Sequence, residues 1–142
     1  MGFVRVFVRK GGIMKMLMIG LAVFLMSGCA STETVKQSKG QGEIRSYPHA
    51  YEQVYDATLL AAKDKKLDIV ESDKSSGRIV LSHAITLLSW GERIAVFVKP
   101  VTDSRTSVEI VSKPVLSPLN FPPDWQKILF DQIDLELRSE AK

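Results

Sequence analysis

The sequence predicts an α+β fold: a two-layer sandwich in which an antiparallel sheet of about four strands carries two helices on one face. Two stretches, near 50–66 and 123–140, repeat apolar residues every three or four positions, as an amphipathic helix does. Between them, over 67–112, apolar and polar residues alternate in short runs, as strands with two different faces do. The connections inside that block are short, which makes neighbouring strands antiparallel. A single cysteine and two histidines exclude an internal disulfide and a Cys-rich zinc site, so packing must stabilise the domain.

The chain opens differently. From Met16 to Met26 all 11 residues are apolar or Gly, with Lys15 before them and Ser27-Gly28-Cys29 after. Such a helix is roughly 17 Å long, whereas a bilayer core of about 30 Å needs roughly 20 residues. The run is too short to span and has the form of a signal-peptide hydrophobic region. Met26-Ser27-Gly28-Cys29 resembles the lipobox of bacterial lipoprotein signals, with Met26 where Leu is usual. The resemblance implies cleavage after residue 28, thioether diacylglycerol on Cys29 and acylation of its new amino group. Cys29 is therefore the expected lipidation site, and two or three acyl chains would hold the protein firmly to a bilayer. The structural alternative is a buried core helix whose cysteine is an ordinary small hydrophobe. Met14 is an alternative start, because Met14-Lys15 and the apolar run already make a compact signal. Ala30 stands where Asp commonly marks inner-membrane retention in Gram-negative lipoproteins, so the resemblance implies an outer-membrane lipoprotein facing the periplasm.

The division expected is a signal over 1–28, a lipidated Cys29 with a flexible tether over 29–46, and one α+β domain over 47–142. Ala30 to Gly42 is rich in Ser, Thr, Lys, Gln and Gly without apolar period, and about 15 such residues reach roughly 20 Å. Glu43–Tyr47 reads as the first ordered segment, a short strand, before Pro48. In the first helix Tyr51, Val54, Tyr55, Thr58, Ala61 and Ala62 share one face, with Asp56, Lys63 and Lys66 solvated. Strands are expected at Leu67–Val70, around Ile79–Ile85, at Arg93–Val101 and at Thr106–Ser112. Ile79, Leu81, His83 and Ile85 take one side, as do Ile94, Val96 and Val98. Pro100 cannot donate to a ladder and marks a strand end or an edge. The last helix begins near Pro123-Asp124, where proline suits the first turn and Asp124 the positive end of the helix dipole. Its stripe is Trp125, Ile128, Leu129, Ile133 and Leu137, with Phe130 and Leu135 off the line. This order of elements, and the phrase Ser89-Trp90-Gly91-Glu92, resemble small α/β modules of bacterial envelope lipoproteins.

The charge of +3 belongs to the signal. Arg5, Arg9, Lys10 and Lys15 lie in the first 28 residues with no acid, which leaves 15 basic and 16 acidic side chains downstream, interspersed. No nucleic-acid footprint follows. No nucleophile elbow, phosphate loop, dinucleotide fingerprint or EF-hand spacing occurs. His83 is a conceivable base, but its place in an alternating strand reads as a packed or rim histidine, and His49 reads as a turn residue. Glu92, Asp103 and Glu109 read as surface acids. No catalytic, metal or cofactor-binding residue is expected.

Two segments carry large apolar side chains where loops are usually polar: Leu88 and Trp90 in one, Leu119 and Phe121 in the other. They either cap the core or form a partner contact patch. The functional expectation is a non-enzymatic, membrane-anchored envelope lipoprotein that binds another envelope protein. The alternatives are a carrier or sensor of a lipid or apolar small molecule, and a hydrolase with a diffuse site.

Overall fold

A computed structural model of the chain describes residues 30–84, 91–115 and 123–140. The signal segment, Cys29, and the four loop residues Leu88, Trp90, Leu119 and Phe121 lie outside the described residues. The chain divides into compact units Met1–Ala30 and Ser31–Lys142, and the sheet and its helices belong to the second.

The described elements run α1 (Ala30–Lys36), β1 (Glu43–Tyr47), α2 (Tyr51–Asp64), β2 (Asp68–Asp73), β3 (Arg78–His83), β4 (Glu92–Thr102), β5 (Arg105–Pro114) and α3 (Trp125–Glu140). The α+β class is as the sequence predicts. The sheet has five strands rather than about four, in the order β1-β5-β4-β3-β2, every pair antiparallel. β1 and β2 thus occupy opposite edges, and α2 carries the chain from one to the other.

The helices form because each can bury one stripe. α2 buries Val54, Tyr55, Ala57, Thr58, Ala61 and Ala62, and Ala50 N–H donates to the Gln53 side chain at its start. It ends where Lys66 turns to φ +55° and Leu67 N–H bonds the Ala62 carbonyl. α3 starts with Asp124 Oδ1 accepting from Lys127 N–H at 3.1 Å. It buries Phe130 fully, while Ile128 is only partly covered and Leu135 is exposed, so the buried face turns toward Phe130 from the expected stripe.

Alternation sorts the strands. Ile79, Leu81, Ile94, Val96, Val98, Val108 and Ile110 join the helices in one core cluster. Val80, Ala95, Phe97 and Val111 point to the outer face, where they meet Val35 of α1 in a second cluster. Pro100 lies where β4 extends past β3, beside a register shift against β5, so no ladder bond is lost.

The expected leash over 30–42 is therefore corrected. Val35 is fully buried, Ser38 donates to the Thr34 carbonyl at 2.7 Å, and the carboxylate of Glu109 accepts from Gly40 N–H at 2.5 Å and Gly42 N–H at 3.0 Å. Lys36 bridges to Glu71 on β2 at 2.6 Å. Burying one valine is worth roughly 1.5–3 kcal/mol, and a seven-residue helix would not persist without it. The polar composition of this segment reflects one buried apolar side chain in a strap, a pattern with too few apolar positions to show a period.

Candidate functional site

Two polar arrangements stand out among the described residues. The first is a cleft of about 480 Å³ between β1, the Pro48-His49 link and the last turns of α3, lined by Arg45, Ser46, Tyr47, Pro48, His49, Asp134, Leu137 and Arg138. Arg45 pairs across β5 with Val108, which turns its side chain to the helix face. There its guanidinium lies 4.3 Å from the centre of the Phe130 ring and bonds Glu43 at 3.0 Å, with Asp134 at 3.7 Å and Asp131 at 3.8 Å. Asp134, Leu137 and Arg138 come together because they are three and four apart on one helix. The Thr106 hydroxyl donates to the His49 carbonyl at 2.9 Å and fixes the link. Tyr47 is 6 % exposed, and its hydroxyl is buried without a hydrogen-bond partner among the described residues. Burial, and then the Asp134 carboxylate, hold its pKa above the ordinary phenol value. The cleft offers donors from Arg138, His49 and Arg45 beside one carboxylate, a set suited to holding a polar or charged side chain.

The second is a cross-strand pair. His83 and Glu92 face each other where β3 and β4 part, with Nδ1 and Oε2 at 2.9 Å. Glu92 is fully buried, and the Trp125 ring stands 4.8 Å from the imidazole. An acid that orients an imidazole is part of a hydrolytic triad. Here no described serine bonds His83: Ser82 faces the opposite side of the sheet and takes a hydrogen bond from Arg93. The pair reads as a polar latch that closes the strand pair, which agrees with a packed histidine.

The two glutamates expected at the surface are not there. Glu92 is completely buried and Glu109 is 7 % exposed. The signal missed at Glu109 is that its face of β5 is covered by α1. For Arg45 and Tyr47 the sequence carries little signal beyond an Arg and a Tyr alternating in the strand before Pro48. Between sheet and helices, where an apolar carrier would hold its guest, Tyr55, Leu129, Phe130 and Ile133 fill the space completely buried. Among the described residues no helix is long and apolar enough to cross a membrane, and no cluster of three metal-ligating side chains occurs.

Comparison with solved structures gives distant likenesses. The di-domain ARO/CYC BexL from the BE-7585A biosynthetic pathway is 15 % identical with a TM-score of 0.43, over 69 % of this chain and 42 % of that one. TTHA0849 from Thermus thermophilus is 12 % identical with a TM-score of 0.35, over 70 % of this chain and 97 % of that one. Ara h 8.0201 is 12 % identical with a TM-score of 0.37, over 68 % and 95 %. The chain thus spans less than half the length of the first of these. No curated protein matches the sequence. Residues 12–112 match the family described as "Protein of unknown function (DUF3568)", from just ahead of the apolar run into β5, and the chain belongs to that family.

Proposed function

We propose that the protein is a lipid-anchored lipoprotein of the bacterial envelope whose α+β domain is a non-enzymatic binding or accessory module for another envelope protein. The observation that carries this reading is Met26-Ser27-Gly28-Cys29 at the end of an 11-residue apolar run, directly before the first described helix. The cleft beside β1 supports the binding part. It lies next to β1, an edge strand that pairs with no strand on its outer side among the described residues and so can take an extended partner segment, and Arg138 and Asp134 offer opposite charges to a partner side chain. Acylated Cys29 would hold the module at the periplasmic face of the outer membrane.

Cys29→Ala should abolish labelling by a fatty-acid analogue and move the protein to the soluble envelope fraction. Retention in the membrane fraction would refute the anchor. For the partner, a photoreactive side chain at Ser46 or Arg138 should trap one defined envelope protein in intact cells, while the same probe at Lys66 should not. Equal capture at all three positions would refute the cleft as the docking place.

A further inference from the structure

We propose that the outer face of the sheet, the face crossed by α1, lies against an anionic phospholipid surface, an orientation that rests on the anchored-lipoprotein reading above. The first argument is chain continuity. α1 begins at residue 30, next to Cys29, and is clamped to the outer face by Val35, by Lys36 on Glu71 and by the Glu109 carboxylate on Gly40 and Gly42. Seven helical residues cover about 10 Å, so a lipid on Cys29 leaves this face about one Debye length from the headgroups rather than a leash away.

The second argument is charge. Alternation places Arg93 and Lys99 of β4 and Lys113 of β5 on the outer face, and Lys39 lies over the Phe97 ring there, 5.7 Å from its centre. None of the four has a carboxylate partner among the described residues. Arg93 and Lys113 stand at opposite register positions, Arg93 donating to Ser82 and Lys113 to Gln41, so two neighbouring cations with neutral partners lie open on this face. Arg93 also keeps a buried Nε without a hydrogen-bond partner among the described residues. The carboxylates of this face are engaged: Glu33 and Glu71 with Lys36, Glu71 also with Arg78, Glu109 with two glycine amides, and Asp73 with Ser75 and Ser76. Asp68 sits at the far edge strand. Ile44, paired with Glu109 and 60 % exposed, adds an apolar side chain to the same face. The opposite side bears the acids, with Asp124, Asp131, Asp134, Glu136 and Glu140 on or beside α3.

The test uses the full acylated protein bound to vesicles of phosphatidylcholine with or without phosphatidylglycerol, and measures the acylation rate of each lysine by a water-soluble reagent. Lys39, Lys99 and Lys113 should react about fivefold more slowly on the anionic vesicles, the scale of one cation's attraction to such a surface. Lys66 and Lys127 should not change, and high salt should remove the difference. Equal rates on both vesicles, or slowing at Lys66 and Lys127 instead, would overturn the proposal. Slowing in envelope fragments but not on anionic vesicles would overturn it too and assign the face to a protein or polymer polyanion. Protein that fails to float with either vesicle refutes the anchor itself, whereas flotation without selective slowing refutes only the orientation.

Discussion

Glu109→Gln should unlatch α1 from the sheet. Glu109 is 7 % exposed, and one carboxylate oxygen accepts from two backbone amides, Gly40 at 2.5 Å and Gly42 at 3.0 Å. Hydrogen bonds to a charged group contribute about 1.5–3 kcal/mol each, roughly twice a neutral bond. The glutamine carbonyl keeps the acceptor at neutral strength, so about half of the two bonds is lost, or roughly 1.5–3 kcal/mol. At 1.4 kcal/mol per decade, that opens the strap about 12- to 140-fold more often. Hydrogen exchange on the full chain reads this directly at the amides of Gln37, Ser38, Gly40 and Gly42, whose bonds exist only while the strap is docked. The thermal midpoint should fall by roughly 6 °C or more, since about 1 kcal/mol moves a small domain by roughly 4–8 °C. If the strap amides keep wild-type protection, Glu109 is not the latch and the account of α1 is wrong.

Gly77→Ala should destabilise the domain by more than about 3 kcal/mol, because a residue with a side chain is strained at φ +70° and its Cβ would stand against the Val98 carbonyl; a melting curve within a degree of wild type would refute this. Asp73 is held down to about 2 by hydrogen bonds from Ser75 and Ser76. Its folded pKa lies below the ordinary 3.8, so its contribution is present above that value and is lost as pH falls through about 2. The stability of Asp73→Asn should accordingly vary less than wild type between pH 2 and 4, and parallel pH profiles would refute the turn's role. Lys66→Gly should stabilise by about 0.5–1 kcal/mol, since glycine adopts φ +55° without the Cβ clash that lysine bears; a lower denaturation midpoint would refute it.

The helices were legible because their faces repeat. Val54, Tyr55, Ala61 and Ala62 can meet a core only on one side of a helix, and Ile79 with Leu81, or Ile94 with Val96, only on one side of a strand. Phe130 shows the limit of such patterns. It lies off the Leu129–Ile133–Leu137 line, yet it joins the core cluster and Arg45 of β1 covers its ring.

The amino-acid sequence by itself determined the α+β class, the antiparallel run from β2 to β5, and an apolar run that ends three residues before Cys29. These are local: periodicity, turn length and composition encode them within a few residues. The tertiary structure alone decided that β1 closes the far edge beside β5, that 30–42 is a strap and not a leash, and that Glu109 is a buried latch. Each depends on residues 35 or more positions apart, and a polar segment with one valine becomes ordered only when a sheet supplies the cluster that valine fills.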